Sequence, residues 1–412
     1  MMHQSPSPKD LPPFGPELEL LLLCARLNLS SSRKNRVEQI ISGQLDWPLL
    51  LRMADFHRLS LLLFRNLQLV ACNNIPGQVL EDLHRAAISA SAGNLLFTAH
   101  LHKIIALFNS NDIQAISFKG PALSQAAYAD INLRWFSDLD VLVAEKNAFK
   151  ARNLLIANGY SCETQIADDT EEDFLRKENC FAMVNTSNNI HIDLHWELTG
   201  RYSLVPLYLE DVIARAVTIK LTNWQFPTLS VEDNIVGLCI HSSKHCWQPL
   251  EGINCISELI RNTEKINWMN VFAQSKHLRA HRIVLLGLLM CHLLFDLELP
   301  PLVMAELDDD KRLIKHGKKI LRRLTLDPVM QEQDDYTCQF STLHTCIRDS
   351  FPDRIKHLCR FLCRILFRPT AKDRQALPLP SSLTFLYFFY RPLRLVWEWG
   401  RRRLRIGDWG NT

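Results

Sequence analysis

At Asn111 the apolar residues of this 412-residue chain stop recurring every three or four positions and begin to alternate. Before that point, ELELLLLCARL, DWPLLLRMADFHRLSLLLFRNL and VLEDLHRAAISASAGNLLFTAHLHKIIALFNS have helical spacing. After it come a short strand, DIQAISFKG, and a helix, PALSQAAYA, with Pro121 suited to its first turn. A second strand, FSDLDVLV, leads to a helix, AEKNAFKARNLLIANGY, closed at Asn158-Gly159. CFAMVNTSNNIHIDLHWEL then reads as strand, turn at Ser187-Asn188-Asn189, and strand. Helical spacing returns at Ser230 and runs to the stop at Pro300-Pro301. The expectation is an α+β fold. A mixed-sheet core over residues 111–222 lies between an N-terminal helical region, 1–110, and a C-terminal helical bundle, 223–325, with an extension over 326–412.

Charge narrows the partners. Forty-seven Lys plus Arg against forty-four Asp plus Glu leave +3, which gives no strong nucleic-acid signal. The excess is local: residues 354–412 hold thirteen Lys or Arg and three Asp or Glu, interleaved with Phe, Tyr, Trp and Leu. That extension reads most simply as a pair of helices with a solvated charged face; its rival is attachment to an anionic membrane surface or to a protein partner's acidic patch. The N-terminus, MMHQSPSPKDLPPFGP, lacks the pattern of a secretory signal, and no apolar run has the length of a membrane helix. Twelve cysteines without CxxC pairs, among them Cys239, Cys291, Cys359 and Cys363 in apolar stretches, read as reduced core thiols. A cytoplasmic protein is expected.

The chemistry concentrates in FKGPALSQAAYADINLRWFSDLDVLV, residues 118–143. In a strand, side chains two apart share a face, so Asp138 and Asp140 point one way while Leu139, Val141 and Val143 enter a core. Two such carboxylates raise each other's pKa and are costly to desolvate unless a cation neutralises them. Mg2+ suits paired carboxylates with open positions, with Mn2+ as the substitute ion, and it takes its remaining ligands from substrate phosphates. In HIDLHW, His191, Asp193 and His195 alternate onto one face, which makes Asp193 the candidate third ligand or general base. Lys119 and Arg134 would supply positive charge to a triphosphate, and Gly120 would let a backbone N–H approach it.

These residues, in this order, resemble a bacterial uncharacterised nucleotidyltransferase family within the DNA-polymerase-beta-like superfamily. The resemblance is carried by Lys119-Gly120, Tyr128, Arg134, Asp138 and Asp140, Asp193 with His195-Trp196, and the His241 and His245 pair of HSSKH, and it covers roughly residues 15–300. It implies a nucleotidyltransferase fold and transfer of a nucleoside monophosphate from a nucleoside triphosphate to an acceptor, with metal on Asp138, Asp140 and Asp193. The chain departs from the superfamily where Pro121 stands in place of the usual serine after the glycine, and Pro121 has no N–H to offer a phosphate.

Alternatives stay open. His241 and His245 have zinc-ligand spacing but lack the glutamate of HExxH; they read as packed core histidines or as groups that hold base or phosphate. HIDLH could hold a transition metal for hydrolysis. A catalytically silent scaffold that keeps the fold is the remaining alternative. GxxxxGK[ST], GxSxG and GxGxxG are all missing from the sequence, and AISFK has neither the glycine-rich loop nor the HRD and DFG motifs of a kinase.

Overall fold

The computed structural model describes residues 14–70, 74–164, 170–199, 205–221, 223–324, 342–367 and 371–407. The expectations for the first thirteen residues and for 326–341 lie outside them. By contacts the chain divides into two compact units, Met1–Asp349 and Ser350–Thr412.

The first unit opens with four helices: α1 (Pro16–Cys24), α2 (Ser31–Ile41), α3 (Trp47–Phe56) and α4 (Ser60–Gln68). Their ends follow local chemistry. Ser30 accepts from the Arg33 N–H and Asp46 from the Leu49 N–H, satisfying donors that the first helical turn leaves unpaired. A 33-residue helix, α5 (Gly77–Asn109), then leads into the sheet.

The α/β segment runs β1 (Ala115–Ser117), α6 (Gly120–Tyr128), β2 (Asp138–Val143), α7 (Ala148–Ala157), β3 (Tyr160–Cys162), α8 (Glu171–Lys177), β4 (Cys180–Asn185) and β5 (His191–His195). The five strands form one mixed sheet in the order β1-β2-β5-β4-β3. β2 and β5 pair in parallel, and every other neighbouring pair is antiparallel. The β4–β5 turn has Asn189 at φ +57°, the left-handed conformation that Asn tolerates. After a short helix, α9 (Leu209–Val212), a separate hairpin follows, β6 (Val217–Leu221) with β7 (Trp224–Thr228). β3, α8 and this hairpin were not expected from the sequence.

The remaining helices of this unit include α10 (Val231–Lys244), α11 (Glu251–Arg261), α12 (Trp268–His277), α13 (His281–Phe295), α14 (Pro301–Asp309) and α15 (Lys311–Leu324). Two cores flank the sheet. Leu139, Val141 and Val143 join Ile192, Leu194, Phe181 and the end of α5 in one. Leu142, on the opposite face of β2, joins α6 and the helices of both bundles in the other. α13 is buried over nearly its whole length, so it is the hub of the C-terminal bundle.

Among the described cysteines, Cys24, Cys239, Cys255 and Cys291 are free and buried, as expected. Two expectations are corrected. Cys359 and Cys363 are exposed rather than core thiols, and Cys246 is disulfide-bonded rather than reduced. No helix among the described residues is long and apolar enough to cross a membrane.

Candidate active site

The turn from β1 into α6 carries Lys119. Gly120 starts the helix at φ +53°, where a side chain would be strained although a Cβ would meet only ordinary contacts, 3.5 Å from the Asp138 carbonyl oxygen. The loop then returns to β2, whose first residue is Asp138. Because β5 runs parallel to β2 in a register that pairs Asp140 with Asp193, the third carboxylate stands beside the second on the same face. Asp138, Asp140 and Asp193 all line one cleft of about 530 Å³, together with Lys119 and Arg134. That volume is in the range of small-molecule and cofactor sites. His241 lines it from α10 and His245 from the residue that ends that helix, with their ring centroids 5.7 Å apart.

Asp140 is the most confined of the three, at 2% exposure. Its Oδ1 accepts from Lys119 Nζ at 2.7 Å and lies 3.2 Å from His195 Nε2. Asn179 Nδ2 lies 3.4 Å from His195 Nδ1; with the amide donating there, Nε2 carries the ring proton and donates it to Asp140. Burial pushes the Asp140 pKa up, but Lys119 and then His195 outweigh it and hold the carboxyl well below the usual carboxylate range. The neighbouring carboxyls move the other way. Burial and then the Asp140 charge raise Asp138, and at Asp193 burial outweighs the opposing His195. Three carboxylates facing one cleft, two of them reluctant to ionise, offer oxygen donors that fit a hard divalent cation.

The predicted phosphate ligands separate. Lys119 is in the cleft. Arg134 reaches the cleft too, but it is paired with Glu251 at the start of α11, with both side chains nearly buried. Its charge is already matched. Burial lowers the guanidinium pKa, but the Glu251 charge and its neighbours outweigh it and leave it raised. Gly120 and His195 are not among the residues that line the cleft, and His195 meets Asp140 at the end of β5. Tyr128 and Trp196 are structural: Asn254 Nδ2 donates to the Tyr128 hydroxyl at 3.0 Å, tying α6 to α11, and the Trp196 indole N–H donates to the Leu175 carbonyl at 3.3 Å.

Several neighbours of the site were missed in the sequence. Lys244 lies three residues after His241 on the same face of α10. Its pKa is pushed down to about 8 by burial and then by Lys119, against the pull of Asp140. Phe56 and Arg58 reach the cleft from the end of α3, and the Arg58 guanidinium stands 5.9 Å over the exposed Trp135 ring. Cys180 is paired across the strands with His195, and its ligand atom lies within 4.8 Å of those of Asp193 and His195. His191, which alternation placed in that group, instead has Nδ1 3.9 Å from Glu163. Helical spacing was a signal for Lys244; nothing local marks Arg58, Glu251 or Cys180.

Residues 43–296, more than half of the chain, match the family model described as uncharacterised nucleotidyltransferase. The chain belongs to that family. No curated protein gives a significant match. The matched span takes in α3 to α13 and therefore every cleft residue named above. Membership supports nucleotidyl transfer as the general activity of this nucleotidyltransferase-family protein, and it implies a nucleotide substrate.

Proposed function

We propose that this protein transfers a nucleoside monophosphate from a nucleoside triphosphate to an acceptor hydroxyl. The observation that carries the reading is the parallel register of β2 and β5. It brings Asp193 alongside Asp140, with Asp138 and Lys119 facing the same cleft. Asp138, Asp140 and Asp193 would hold Mg2+, which when bound neutralises phosphate charge in the transition state.

The chain's own groups do the rest. Lys119 Nζ gives the triphosphate a cation at the head of α6, where the helix N-terminus also favours negative charge. Gly120 sets that turn. Of the groups lining the cleft, the phosphates fall to Lys119, which is shared with Asp140, and on the helical side to His241 and His245. Asp193 takes the proton from the acceptor hydroxyl. The acceptor oxygen forms a bond to the α-phosphorus in line as the bond to the bridging oxygen breaks, and pyrophosphate leaves. His195 and Asn179 keep the Asp140 carboxylate fixed and ionised throughout.

The test is turnover of labelled nucleoside triphosphates with Mg2+, read as pyrophosphate release, against Asp138→Asn and Asp193→Asn. Loss of a general base and of charge in such a site costs about 10²-fold or more. Because the fold disfavours charge on both residues, the variants should melt no lower than the wild type at pH 7. Wild-type turnover by either variant removes the assignment.

A second reading has one observation behind it. The Cys180, Asp193 and His195 donors lie within reach of one ion and suit zinc better than magnesium. Metal analysis of the purified protein, with Cys180→Ser as control, separates them: stoichiometric zinc lost in the variant supports the second reading.

A further inference from the structure

Among its described residues, the Ser350–Thr412 unit buries Asp353, Asp373 and Arg391 and exposes large apolar side chains. In helix Phe351–Phe367, Phe351, Ile355, Leu358 and Leu362 follow one another at intervals of four, three and four, and so form one stripe. That stripe is the exposed one. Asp353, on the other side, is buried, with its Oδ2 accepting from the Ser350 hydroxyl at 2.6 Å.

Helix Tyr387–Gly407 repeats the arrangement. Arg391 and Arg394 turn inward onto the fully buried Asp373, the second through Nε at 2.7 Å, and the Tyr387 hydroxyl donates to the Leu377 carbonyl at 2.6 Å. Facing outward are Phe389, Leu393, Val396 and Trp397, with Leu393 70% and Val396 69% exposed. Beside the exposed cations expected of this extension, an ionic cluster lies inside it and apolar residues face out, because Asp373 can be desolvated only with its arginines against it.

An apolar face of this extent marks a surface that something covers. We propose that it is covered by an anionic lipid surface, with both helices lying in the headgroup region. Charge argues for that occupant. Residues 354–412 carry thirteen Lys or Arg against three Asp or Glu, and among the described residues Arg391 and Arg394 pair with Asp373. Lys356, next to Ile355 in the chain, is exposed, and so is Arg374. Tyr390 and Trp397 are amphipathic residues of the kind that settle at a membrane boundary. The helices are too polar to span a bilayer but suited to lie on one. This inference stands independently of the transfer chemistry.

The full-length protein would be floated with phosphatidylcholine vesicles and with phosphatidylcholine–phosphatidylglycerol vesicles. It should float with the anionic vesicles and lose that association as salt rises. Leu393→Asp with Val396→Asp should weaken partitioning at least about tenfold for each site, with nucleotide turnover and melting unchanged. Lys356→Glu with Arg374→Glu should weaken it about fivefold for each positive charge removed. Equal flotation with neutral vesicles, no flotation, or wild-type binding by the Leu393/Val396 variant overturns the proposal. A dimer in solution that the same variant dissociates assigns the face to a second copy of the chain and likewise overturns it.

Discussion

Replacing Glu251 by Gln removes the counter-charge of Arg134 without changing the shape of the side chain. Arg134 is 10% exposed and Glu251 7%, so water cannot stand in for the lost carboxylate. Removing one member of a buried pair leaves an uncompensated charge and costs about 3–5 kcal/mol. At a urea slope of about 3 kcal/mol/M, the unfolding midpoint should fall by about 1 M or more. Arg134→Met alone should cost a similar amount. Arg134→Met with Glu251→Leu should recover most of the loss, since an apolar pair of similar volume needs no desolvation. The assay is urea unfolding of all four proteins, followed by nucleotide affinity of those that fold. If Arg134 serves to hold α11 against the loop before β2, the double variant binds triphosphate within about threefold of wild type. Two results would refute the reasoning. A Glu251→Gln loss below about 1 kcal/mol would mean the pair is hydrated. A more than tenfold loss of affinity in a stable double variant would mean that the guanidinium touches phosphate after all.

Two other sites give distinct signals. Burial pushes the His57 pKa down to about 3. Below the unfolded-state value of about 6.5 the folded chain therefore binds fewer protons than the unfolded one, and stability present above that pH falls by about 1.4 kcal/mol for each unit of acidification toward 3. The difference between wild type and His57→Gln, measured by urea unfolding from pH 7 to pH 4, isolates this slope; identical slopes sink the assignment. Gly287 in α13 lies where an added Cβ would come 2.6 Å from Cys239 Sγ on α10. Gly287→Ala should cost about 1–3 kcal/mol by overpacking, and adding Cys239→Ala should restore much of it; strict additivity in thermal melts would show that the helices simply move apart.

The parts of the site that could be read in advance are those whose signal is local. Lys119-Gly120, the Asp138 and Asp140 alternation and the HIDLH strand each follow from a period of two or a turn residue, and the family match spans all of them. What the chain could not disclose was which strands become neighbours. Asp140 and Asp193 meet through a parallel register, Cys180 meets His195 through an antiparallel one, and Arg134 finds Glu251 117 positions away. Those pairings are decided by packing on both faces of the sheet. The short β3 and the β6–β7 hairpin escaped for a related reason: three- to five-residue strands carry too few alternations to stand out from loops.

The extension shows a second kind of blindness. An amphipathic period states that a helix has two faces, and habit assigns the apolar one to the interior. That habit assumes that the apolar face has a core to join. In residues 350–407 the first claim on the interior is made by Asp373, whose charge at full burial must be neutralised by groups that come with it. Arg391 and Arg394 are three apart, so meeting that demand turns one face of the last helix inward and necessarily sends Leu393 and Val396 outward. Asp373→Leu inverts the preference: without the carboxylate the arginines gain nothing by burial, and the exposed apolar face should turn inward. Loss of hydrophobic-dye binding in that variant would bear this out, and an unchanged dye signal would show that the outward face is held by something other than the ionic cluster.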